Sequence, residues 1–293
     1  MKTKKDFPFL TLFIVAAVSI VIFLPLRVYQ YFEVLEPETG FYIKKDFSVY
    51  FMYAVMLIVC GLSVVLSFIN RKALNTSAQM PEKTGVAVYL VAAIGFIIDG
   101  AQKAMQFVDV YENYVYNFQQ SLMQYLSDSG GMIFVIQAAL SVISSLYFFA
   151  LAIGGITKKD NASSLKIIAL APSLWAAMRL LFRFKSTISF TNVSDLLLEL
   201  FAIVFMMMFF FAFAQTTSHV DKGENYWKIF AYGIPTAVLS IACFVPRAVL
   251  SVVGHSDLIA DGYSPEVCDF TVAIMILAVL ISKVTVSVSS KKS

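Results

Sequence analysis

The sequence predicts an all-α membrane protein, a bundle of eight transmembrane helices with both termini in the cytoplasm, and three observations carry that reading. Of the 293 residues 59% are hydrophobic and 14% charged, whereas soluble domains run at about 25% charged. Eight apolar stretches follow one another with short polar connections, each near the roughly 20 residues that a helix needs to cross a hydrocarbon core about 30 Å thick. Lipid leaves a helix or a closed barrel as the ways to satisfy a spanning backbone, and runs such as "LFAIVFMMMFFFAFA" lack the alternation of a barrel strand. Little is left over, so residues 1–293 read as a single polytopic membrane domain.

The first span, Phe9 to Tyr29, follows "MKTKKDF" and ends in "FLPLRVYQ" with no small-x-small cleavage site, so it reads as a retained helix and not a signal peptide. The second, Phe47 to Ile69, opens behind Asp46, a good N-cap residue. The third, Gly85 to Val108, contains "IIDGAQKAMQF", with Asp99 and Lys103 at i,i+4 in the order that favours a helical ion pair; Gln102 and Gln106 widen the polar surface. Beyond it, Tyr111, Tyr114, Val115, Phe118, Leu122, Tyr125 and Leu126 recur at steps of three and four. That period fits an amphipathic helix at the membrane surface or an outward continuation of the third helix.

The fourth span is Gly130 to Thr157 and the fifth Leu165 to Phe184, which holds "SLWAAMRLLFRFK" with Arg179 and Arg183. The sixth, Asp195 to Gln215, brings Glu199; the seventh, Tyr226 to Val253, brings Arg247; the eighth is Val267 to Val286. Pro25, Pro172, Pro235 and Pro246 all fall in odd-numbered spans, where a lost backbone hydrogen bond permits kinks or breaks.

Lys and Arg set the orientation. Placing the termini in the cytoplasm puts the Lys-rich ends, Arg71, Lys72, Lys158, Lys159, Lys222 and Lys228 inside, and leaves outer loops rich in Asp and Glu, as the positive-inside rule requires. The net charge of +3 averages this asymmetry and gives no sign of nucleic-acid binding. Cys60, Cys243 and Cys268 sit in or beside apolar runs and read as small buried hydrophobes, with neither a disulfide framework nor a metal site. His219 and His255 lie toward opposite faces and cannot share a metal. No cofactor is implied.

A pattern recurs along the chain. Arg27, Lys103 and Arg179 are each 76 residues apart, Arg247 comes somewhat sooner, and all four lie near the outer ends of odd spans, while Asp46, Asp128, Asp195 and Asp269 open the even ones. Residues 7–70, 83–157, 165–217 and 226–288 thus read as four copies of one hairpin. Helix-end electrostatics and snorkelling to headgroups explain most such charges. Arg179 is harder to explain that way. It lies thirteen residues from Lys166, about 20 Å along the helix at 1.5 Å per residue, and an arginine that deep generally faces the bundle interior and finds a partner. Counting back from Ser189 pairs Arg179 with Glu199 and Arg183 with Asp195. Asp99 falls at the depth of Arg179.

Arg179, Arg183, Glu199, Asp195, Asp99, Lys103, Arg27 and Arg247 are therefore the candidate ligand-binding residues, lining an outward-facing polar cavity. No HExxH, GxSxG, Walker or CxxC motif is present, so the reading is not an enzyme. The expected function is binding or transport of a small solute carrying an anionic group across the cell membrane, with the lipid bilayer as surroundings and the cytoplasmic loops as a place for a protein partner. The alternative is a non-transporting sensor or accessory subunit whose buried ion pairs are purely structural.

Overall fold

The computed structural model describes residues 7–36, 42–75, 82–116, 121–157, 165–186, 193–218, 220, 225–259 and 265–289. Among these the secondary structure is helical apart from turns and one isolated bridge between Leu35 and Tyr42. The helices are α1 (Phe7–Glu33), α2 (Phe47–Ile69), α3 (Arg71–Asn75), α4 (Glu82–Tyr116), α5 (Leu122–Asp128), α6 (Gly131–Thr157), α7 (Ala171–Ser186), α8 (Val193–Thr217), α9 (Trp227–Val253) and α10 (Val267–Ser289).

Six of them, α1, α2, α4, α6, α8 and α9, are long and apolar enough to cross a membrane, and the chain is a multi-pass helical protein. The fifth expected span is shorter, and the eighth coincides with the 23-residue α10. α7 has 16 residues, about 24 Å of helix, because Ile168–Leu170 form a 3-10 turn before it and Arg179, Arg183 and Lys185 fill its second half. The described apolar part of α10 is Val267–Ser282.

Two local expectations are corrected. Pro172 is the second residue of α7, in the first turn where proline is tolerated, and the Ile168 carbonyl behind it is taken by the Ala171 N–H, so it stands at a helix start. α1 runs without interruption through Pro25, and α9 through Pro235 and Pro246. Asp128 closes α5, and α6 begins after Gly130, whose φ of 81° is open to glycine. Asp46 does cap α2, its Oδ1 accepting from the Ser48 N–H at 2.7 Å. The tyrosine-rich segment first continues α4 as far as Tyr116; Tyr114 and Tyr125 of α5 then meet at 5.4 Å.

α9 is the most enclosed long helix and packs against α1, α2, α8 and α10, while α4 pairs with α6 and α10. Small residues let these pairs approach. A Cβ on Gly100 would lie 3.3 Å from the Ser141 side chain, and one on Gly95 would overlap Thr271 of α10. Aromatic rings fill the centre: Phe96 packs on Phe148, Trp175 and Phe210 at 5.0 to 5.8 Å. The exterior is equally apolar, with Val21, Tyr50, Leu57, Ile153 and Val252 exposed, as a lipid-facing surface requires. Cys60, Cys243 and Cys268 are buried and free.

Candidate functional site

α1, α4, α7 and α9 finish at the end of the bundle where α2, α6, α8 and α10 begin. Each finishing helix delivers a cation there, and none of these cations snorkels. Arg27 is 0% exposed, Arg179 and Arg247 3%, Lys103 7% and Arg183 9%. Charges this enclosed need partners, because an isolated buried ion pays a desolvation penalty of several kcal/mol.

Arg179 is the centre. Its Nη1 and Nη2 engage both carboxylate oxygens of Asp269 on α10, the second at 3.1 Å. Nη2 also lies 2.5 Å from Oε2 of Glu266, just before α10, and 3.5 Å from Oε1 of Glu199 on α8. Arg183 donates from Nε and Nη2 to Glu199 Oε1 at 2.9 and 2.6 Å. Lys103 stands 3.6 Å from Glu266 and donates to Gln106 at 3.4 Å. Arg247 approaches Glu199 Oε2 at 3.6 Å and donates through Nε to the Tyr31 hydroxyl at 3.3 Å. Arg27 donates to that same hydroxyl at 3.3 Å, to Gln30 Oε1 at 2.9 Å and to the Met52 sulfur at 3.8 Å, and lies over the Tyr31 ring.

The expected pairing is shifted. Arg179 takes Asp269 in the two-pronged geometry and only grazes Glu199, while Arg183 takes Glu199. Asp195 falls in the first turn of α8, with its side chain outside the described residues. Counting from a loop centre fixes depth but ignores the rotation of each helix about its axis, and rotation decides which neighbour a guanidinium faces. Lys103 and Asp99 do not pair either. Asp99 Oδ2 accepts from Trp175 Nε1 at 2.7 Å and from Ser141 Oγ at 2.5 Å. A same-helix ion pair is worth only about 0.2 to 0.5 kcal/mol, less than the cost of leaving a buried donor unmatched.

Glu266, Trp175, Tyr31 and Ser141 were not singled out from sequence. Helical spacing carried a signal for three of them: Glu266 precedes Asp269 by three, Trp175 precedes Arg179 by four, and Tyr31 follows Arg27 by four, each on one face. Trp175 lies under Arg179, the guanidinium carbon 5.0 Å from the ring centre. Burial pushes the Glu266 carboxyl up, but Arg179, then Lys103, Arg183 and Arg247, outweigh it and hold the group well below the usual glutamate range.

The charged groups thus occupy the space expected for a polar cavity by packing against one another. A separate cleft between α8, α9 and α10, lined by Phe209, Phe230 and Met275 among others, is apolar. Among the described residues no three His, Cys, Asp or Glu side chains gather as metal ligands. Comparison of the chain with protein-family models, with curated proteins and with solved structures found no match.

Proposed function

We propose that this multi-pass protein binds and transports a small anionic solute at the Arg179 cluster, with eight spans and both termini in the cytoplasm, so that the cluster faces outward. The orientation is supported by the Lys and Arg distribution between loops. The observation that carries the reading is the convergence on Arg179 of three carboxylates from α8 and from the start of α10. Ionisable groups within membrane helices concentrate along solute and ion pathways. A solute carboxylate or phosphate would replace Glu266 on Arg179, since Glu266 is the most exposed of the three at 12% and precedes its helix.

A second reading is favoured by the same pairs: Arg179 grips both oxygens of Asp269 and Arg183 gives two hydrogen bonds to one oxygen of Glu199, closed contacts of the kind that fix helix register in a sensor or accessory subunit. A thermal-shift screen of purified protein against small carboxylates and phosphates separates the two. A ligand at 100 times its dissociation constant stabilises by about 2.7 kcal/mol. Solute binding requires a response in wild type that weakens in Arg179→Lys, which keeps the charge but loses the planar fork. No response to any anion in wild type, or an undiminished one in the variant, overturns it.

A further inference from the structure

Asp99 stands apart from the other buried carboxylates. Glu199, Glu266 and Asp269 each have a guanidinium within ion-pair distance, whereas Asp99, 1% exposed in the middle of α4, has no ion pair among the described residues. Both donors that reach it, Trp175 Nε1 and Ser141 Oγ, go to Oδ2. Oδ1 is buried with no hydrogen-bond partner. One helical turn from Ser141 on the same face of α6, Gln137 is also 1% exposed, and neither its amide oxygen nor its nitrogen has a partner. A buried carboxylate oxygen without a donor is costly, and protonation removes the charge that makes it so.

We propose that Asp99 is a proton-binding site, its Oδ1 taking a proton from water and returning it, and that the Trp175 ring links its charge state to the Arg179 ion pairs. The titratable groups around it are Lys103, one turn on along α4, Arg179 on α7, and Glu266 and the thiol of Cys268 at the start of α10; α6 carries no charged residue and brings the neutral Ser141 to it. Lys103 and Arg179 are already engaged by Glu266 and Asp269, and their positive charge disfavours a metal cation beside them. Loss of the proton places a full negative charge one indole ring from Arg179, where it competes with Asp269 and Glu266 for the guanidinium. Binding of an anion at Arg179 would in turn favour the protonated acid. The inference deepens the solute reading by naming a coupling ion, but it holds or fails without any solute.

The chain has two tryptophans, Trp175 and Trp227. In a Trp227→Phe background, which keeps an aromatic ring against Phe68, Trp175 becomes the reporter of its own N–H bond to Asp99. The emission of detergent-purified protein is read from about pH 5 to about pH 9, where a buried carboxyl would exchange, with sodium and then with choline as the salt cation. A single titration is expected, the same in both salts, abolished by Asp99→Asn and moved to higher pH by Ser141→Ala, which removes a donor to the ionised form. An infrared band of a protonated carboxyl should vanish in Asp99→Asn, and that variant should melt with wild type near neutral pH, since asparagine mimics the neutral acid. Flat emission, a titration surviving Asp99→Asn, a midpoint that follows sodium, or early melting of Asp99→Asn overturns the proposal.

Discussion

Removing Arg179 and removing Asp269 should have unequal costs, although the two form one contact. In Arg179→Met, Glu266 keeps Lys103 at 3.6 Å and Arg183 at 3.8 Å, and Glu199 keeps Arg183 at 2.6 Å. Asp269 keeps no described cation, and an uncompensated buried charge costs about 3 to 5 kcal/mol. In Asp269→Asn, Arg179 retains Glu266 at 2.5 Å and Glu199 at 3.5 Å, so the loss is that of charge-assisted hydrogen bonds, about 1.5 to 3 kcal/mol. The double variant removes both members and should be more stable than Arg179→Met alone, because Asp269 no longer has a charge to strand. Chemical unfolding of the four proteins in one detergent closes the cycle, and contacting residues show coupling of about 0.5 to 3 kcal/mol. Equal single costs that simply add would refute the assignment of Asp269 as the principal partner of Arg179.

Gly95→Ala should destabilise the pairing of α4 and α10. The new Cβ would lie 2.9 Å from the Thr271 Cβ as well as overlapping its hydroxyl, so rotation of Thr271 cannot clear it. Overpacking costs about 1 to 3 kcal/mol against a helix-propensity gain of about 0.5 to 1, and a higher melting temperature would contradict the geometry. Tyr31→Phe removes the hydroxyl that accepts from both Arg27 and Arg247, and unfolding free energy should fall by about 1 to 3 kcal/mol. For Glu266, whose folded pKa is depressed below its ordinary 4.5, the stabilisation is complete above that value and drains away as pH falls toward the folded pKa. Melting temperature should therefore drop more steeply on acidification in wild type than in Glu266→Gln; parallel curves would remove Glu266 from the network.

Depth in the membrane is legible in the sequence, but the direction each side chain faces is not. Apolar length located α1, α2, α6, α8 and α9 to within a few residues, and the burial of Arg179 followed from its distance to Lys166. The partners did not follow, since Asp269 and Glu199 stand at compatible depths and only helix rotation separates them. Lys103 illustrates the same gap: its spacing from Asp99 suits a local pair, yet Glu266 lies across the α4 and α10 interface. α7 is shorter than hydropathy predicts, because hydropathy averages over Pro172 and the turn before it. The donors on Asp99 are invisible in sequence because Trp175 and Ser141 look like ordinary membrane residues until the fold brings α6 and α7 together at Asp99.

The way α7 meets α10 gives the bundle an uneven mechanical grain. α7 packs closely on α6 and α8, and α10 on α4 and α9, but the two reach each other chiefly through the long side chain of Arg179. Interfaces closed by interdigitated hydrocarbon part only at the expense of dispersion contacts along their whole length. This seam hangs on a few charges that bulk salt scarcely screens because they are buried. An anion seated on Arg179 would therefore loosen the molecule along one line, while the hydrocarbon interfaces beside it stayed packed.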